Sequence, residues 1–95
     1  MNFWPTVFKL QTSIETEQQL LEIDKYNNFI ESDQTIIDLR KQILRTTESQ
    51  LKNGVITASD YIEKLTDLYE SENDLKTHKL QLSLAQANYK VIQGI

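Results

Sequence analysis

The sequence has no cysteine, one proline and two glycines in 95 residues. Without cysteine there is no disulfide framework, no thiol nucleophile and no thiolate metal site. The proline stands at position 5 and the glycines at 54 and 94. Two long stretches, Thr6 to Asn53 and Val55 to Gln93, therefore carry no helix breaker. No apolar run approaches the roughly 18 residues that a membrane-crossing helix needs. The N-terminus lacks the basic and apolar regions of a signal peptide. If the chain is complete as given, it is expected to stay in the cytoplasm where it is made; if it is a piece of a longer protein, its address lies on the rest. The ten basic residues are scattered and the net charge is −4, which argues against nucleic acid and against polybasic docking on a membrane.

What remains is a heptad pattern. Ile23, Ile30, Ile37, Leu44 and Leu51 recur every seven residues. Phe29, Ile36 and Ile43 form a second seven-residue track. Asp33, Arg40 and Thr47 occupy the positions that would complete an ordinary seam after Tyr26. A strict seven-residue repeat implies a left-handed supercoil, because a straight helix would drift off its partner. Two apolar tracks read as a wide, lopsided face, suited to neighbours on two sides. In the second stretch Tyr61, Leu68, Leu75, Leu82 and Tyr89 keep the same period, with Ile62, Leu65, Tyr69, Ala85 and Ile92 beside them. Leu80 and Leu84 lie off that seam and point to a further contact face.

Between the two stretches, stop and start signals follow one another. Gly54 suits the left-handed position after a helix C-terminus. Thr57 reads as an N-cap accepting from the backbone N–H of Asp60, and Asp60 stands at the capping-box position and favours the positive end of the helix dipole. Ile56 and Tyr61 have hydrophobic-staple spacing. The expected architecture is all-α: two long antiparallel helices, about 6–53 and 58–93, joined by a turn at 54–57 into a coiled-coil hairpin. Antiparallel pairing leaves the first ten or fifteen residues overhanging, since the second helix is shorter. The run Gln11 to Thr16, rich in hydroxyl residues, is where the first helix is most apt to kink. Phe3, Trp4, Val7 and Phe8 make the first eight residues unusually apolar, and read as a terminal turn packing on a neighbour or the end of a preceding strand or loop. Apolar residues make up 39% of the chain, and a two-helix hairpin has no closed interior. It is expected to oligomerise or to need another surface.

Chemistry-bearing residues are sparse. His78, the only histidine, falls on or beside the buried face and reads as a histidine hydrogen-bonded across the hairpin. Glu63, Asp67, Glu70, Glu72 and Asp74 crowd together but have no cleft to perturb them, and read as a solvated face. Glu48 and Lys52 have the spacing of a surface ion pair. There is no Gly-rich phosphate loop, and neither catalysis, a cofactor nor a metal is expected. Val55 and Ile56 sit at the protruding end. They read either as part of a well-capped turn or, with Gly54, Thr57 and Asp60, as a tip that docks another protein.

The run Gln50-Leu51-Lys52-Asn53-Gly54-Val55-Ile56-Thr57-Ala58-Ser59-Asp60-Tyr61 resembles the hairpin turn of the TolC-type outer membrane efflux proteins, in the branch found in Bacteroides-like bacteria. Asp38-Leu39-Arg40 upstream and Leu68, Leu75, Leu82, Ala85, Ala87, Tyr89 and Gly94 downstream extend the resemblance over roughly residues 20 to 94. It implies a trimeric conduit in which each chain has two such hairpins and two pairs of barrel strands. The hairpins form a periplasmic tunnel, and their turns dock a periplasmic adaptor protein. Asp60 would then lie near the aperture. Ile56 stands where the family often has a basic residue, so no gating salt bridge carries over through it. The sequence shows one hairpin and no barrel strands, and other copies or the remainder of the same protein would complete the conduit, at the periplasmic side of the outer membrane. The alternative is a free-standing, self-associating hairpin that serves as a scaffold or interaction module.

Overall fold

A computed structural model of the chain describes residues 3–94. It contains two helices, α1 (Trp4–Lys52) and α2 (Ala58–Ile92), of 49 and 35 residues. They fold back on each other into a rod 81 × 19 × 16 Å across. α1 begins two residues earlier than the sequence reading placed it, because Pro5 fits the first turn, where a missing N–H costs nothing. Met1 and Asn2, part of the apolar leading segment, lie outside the described residues. The hydroxyl-rich run does not break α1. Thr16 donates its hydroxyl to the carbonyl of Thr12 one turn back (2.8 Å), so its side chain is satisfied within the helix.

The seam differs from expectation in one respect. Ile37, Leu68 and Ala85 are buried, and Ile23, Ile30, Leu44, Leu51, Tyr61, Leu75, Leu82 and Tyr89 are half-buried, as the periodicity predicts. The other inward track of α1, however, is the polar one: Asp33 and Thr47 are buried and Arg40 half-buried, while Phe29, Ile36 and Ile43 stay exposed at the edge. The geometry of the helix explains this. Phe29 and Ile30 are about 100° apart around the axis, and the track three residues beyond Ile30, which holds Asp33, falls between them. The polar track is therefore the middle of the face, and α2 covers it together with the isoleucines.

The polar track goes inward because α2 meets it with matching polar groups. Asp33 pairs with His78 and Arg40 with Ser71. Each pair is seven residues apart on both helices, running in opposite directions, so one register serves both. The same register sets Tyr26 opposite Ala85, a small residue against a large one.

At the open end α2 stops first. The Gln93 side-chain amide donates to the Thr16 hydroxyl (3.3 Å), and Gly94, at φ 76°, ends the helix. The first three turns of α1 project beyond it, within the expected overhang. The seam face of α1 also turns polar there, at Thr16, Thr12 and Lys9.

Candidate functional site

The turn closes α1 with a Schellman motif. Gly54 N–H donates to the carbonyl of Leu51 (3.1 Å) and Val55 N–H to that of Gln50 (2.9 Å). The motif needs a left-handed residue, and Gly54 supplies it at φ 71°. It is commonly accompanied by an apolar contact from Val55 back to the residue at position 50. Here that residue is a glutamine, and Val55 is 70% exposed.

α2 opens with the complete capping box that the sequence predicts. Asp60 N–H donates to the Thr57 hydroxyl oxygen (3.2 Å), and Thr57 N–H donates to Asp60 Oδ2 (3.0 Å). The short aspartate serves because Oδ2 also accepts from the Thr57 hydroxyl (3.0 Å). These bonds favour the carboxylate. The backbone N–H of Thr57 first, its hydroxyl second and the nearby Lys64 more weakly hold the Asp60 pKa below the usual carboxylate value. Ile56 and Tyr61 are half-buried. The Tyr61 hydroxyl donates to Glu48 Oε1 (3.2 Å), tying the two helices together behind the tip. Partial desolvation, then the Glu48 charge, raise the Tyr61 pKa. Glu48, read from the sequence as a partner of Lys52, thus has a role across the hairpin. Gly54, Val55, Thr57 and Asp60 share one exposed end, braced by the backbone bonds of the first cap and the Thr57–Asp60 bonds of the second, with Ile56 half-buried.

The second cluster lies mid-hairpin. His78 Nδ1 is 2.5 Å from Asp33 Oδ2, and the His78 ring packs on Phe29 at 5.1 Å between centroids. The histidine thus bonds across the hairpin, as expected. One layer nearer the turn, the Arg40 guanidinium donates to the carbonyl of Asp67 (2.6 Å) and to the Ser71 hydroxyl. Ser71 also donates to the Asp67 carbonyl (3.1 Å), so this layer is closed on itself. The sequence reading missed these rungs as a pair. The signal was present in the seven-residue spacing of Asp33 and Arg40 on one stretch and of Ser71 and His78 on the other. Thr47, further along the same track, donates to the carbonyl of Ile43 (2.7 Å). Gln19 is the exception: its Oε1 is buried without a hydrogen-bond partner among the described residues.

Glu63, Glu70 and Asp74 are exposed, and Asp67 and Glu72 partly so. Among the described residues, no three His, Asp or Glu side chains come together as a metal-binding group, and no helix is long and apolar enough to cross a membrane. Apolar side chains are exposed at the tip (Val55), along the edge of α1 (Phe29, Ile36, Ile43) and on the outer side of α2 (Tyr69, Leu80, Leu84). Comparison with protein-family models, with curated proteins and with solved structures returns no match.

Proposed function

We propose that the chain is a helical-hairpin segment of a TolC-like outer membrane efflux channel, a stave of the periplasmic tunnel wall whose turn docks an adaptor protein. The observation that carries this reading is the placement of exposed apolar residues on two faces of the rod, the edge of α1 and the outer side of α2. A hairpin that closes its own seam and still presents Phe29, Ile36 and Ile43 on one helix and Tyr69, Leu80 and Leu84 on the other is suited to neighbours on both faces. The resemblance of the turn region supports the identity of those neighbours: further hairpins of the same channel. The role is passive and asks for neither catalysis nor a cofactor. Its place would be the periplasmic side of the outer membrane.

The tip tests the reading. A photo-crosslinking amino acid at position 55, in the protein as its source cell makes it, should capture a periplasmic adaptor. Changing Val55→Ser and Ile56→Ser with the crosslinker moved to position 58 should weaken that capture and leave the helical content unchanged. Capture of other copies of this chain alone would overturn the channel reading in favour of the self-associating scaffold. One observation favours that second reading: the polar rungs are satisfied within the hairpin, so its register needs no other protein.

A further inference from the structure

We propose that the overhanging first turns of α1 carry a second coiled-coil seam, and that its occupant is the same segment of a second copy of this chain, packed antiparallel across a two-fold axis. The inference is independent of the channel reading, since it concerns what the 95-residue chain does alone in solution.

Phe3, Val7, Leu10 and Ile14 are spaced four, three and four residues apart, the spacing of a heptad seam. They lie about half a turn around the axis from Thr12 and Thr16, which face α2. α2 cannot reach them, and they are 49% to 65% exposed. The seam is self-complementary. Run antiparallel about a point between residues 8 and 9, it sets Phe3 against Ile14 of the second copy and Val7 against its Leu10, and the two-fold repeats both contacts.

Charge selects this arrangement over a parallel one. The residues bordering the seam are Trp4 and Gln11 on one side and Thr6 and Ser13 on the other, all uncharged. The single charge between residues 3 and 14, Lys9, lies on the opposite side, in the notch beside Thr12 and Gln93. Beyond the overhang the track of Phe3 and Leu10 continues as Glu17, Asp24, Glu31 and Asp38, all exposed. Parallel copies would bring these four carboxylates against their own counterparts, which is repulsive. The antiparallel overlap ends before Glu17 and keeps them apart. The four seam side chains, Phe3, Val7, Leu10 and Ile14, are fewer than the roughly 20 to 30 residues a side of a standard stable interface. The dimer is accordingly weaker than a standard one.

The test is sedimentation equilibrium of the 95-residue chain from about 1 to 300 µM, the range over which a weak dimer dissociates on dilution. The mass should climb from the 11.1 kDa monomer towards twice that value. Leu10→Asp should move the association midpoint at least roughly tenfold higher, since it buries a charge at the seam. It should leave the helical signal and the melting of the dilute monomer unchanged, because Leu10 lies beyond the end of α2. In small-angle scattering, two 81 Å rods overlapping through about 12 residues span about 140 Å. Val7→Cys and Leu10→Cys chains, mixed and oxidised, should crosslink to each other faster than either does to itself; with no native cysteine the readout is clean. A monomeric mass throughout, a dimer indifferent to Leu10→Asp, a dimer span near 81 Å, or preferential self-crosslinking at either position would each overturn the proposal.

Discussion

Asp33 and His78 face each other inside a two-helix seam that has little else to exclude water, so the cost of separating them is uneven. Removing the imidazole leaves the Asp33 side chain, 12% exposed, without its partner, whereas removing the carboxyl leaves a ring that is 26% exposed and can turn to water. His78→Leu should therefore destabilise the chain by about 2 kcal/mol, the cost of leaving a largely buried polar group without its hydrogen bond. Asp33→Leu should cost nearer 1 kcal/mol. The double variant should return to within about 1 kcal/mol of the wild type or exceed it, because two leucines replace the rung by apolar contact. Urea denaturation of the four proteins makes the cycle. Additive losses would mean that the two side chains do not act as a unit. The Arg40 rung differs in kind: the guanidinium bonds a backbone carbonyl and a hydroxyl, so no single substitution on α2 strands it completely.

At the scale of the element, the tip is two helix caps placed end to end. Thr57→Ala should cost about 1 kcal/mol, the usual worth of such a cap. Gly54→Ala should cost a similar amount, about 1 kcal/mol. Added methyl atoms at Gly54 would meet nothing within 4 Å, so the whole penalty is the left-handed backbone at φ 71°. Asp60 adds a dependence on pH whose direction follows from its lowered pKa. The folded state favours the carboxylate, so this contribution is present above the usual carboxylate pKa and is lost as pH falls through the lowered value. Thermal melts of the wild type and Asp60→Asn between pH 7 and pH 2 should converge towards the acid end. A constant difference across that range would show that the charge adds nothing to the cap. Both caps were legible in the sequence, because capping is local chemistry set by residues three to five apart. The exposure of Val55 was legible too, since it stands at the protruding end with Gln50 where the motif often has an apolar residue.

For the whole molecule, the core is thin: among the described residues only Ile37, Leu68 and Ala85 are buried apolar side chains. A rod one helix pair thick cannot surround a side chain, so each layer depends on both helices at once. Leu68→Asp, or Leu44→Asp opposite it, should abolish the cooperative melt at ambient temperature, as either puts an unpaired charge in the seam. A helical, cooperatively melting Leu68→Asp protein would mean that the helices do not pair through this face. The same thinness leaves Phe29, Ile36, Ile43, Tyr69, Leu80 and Leu84 exposed on the outside of the rod.

The sequence by itself determined the two helices, their turn, both caps, the overhang and the inward heptads of isoleucine and leucine. All of these follow from spacing along one chain and from the absence of helix breakers. Only the tertiary structure decided which of the tracks beside Ile30 and Ile37 would face α2. Apolarity alone favoured Phe29, Ile36 and Ile43. Asp33 and Arg40 were carried inward because they stand between the two apolar tracks and because His78 and Ser71 stand at the same heights on α2. That complementarity is a relation between residues 31 to 45 positions apart, and it exists only once the helices are side by side.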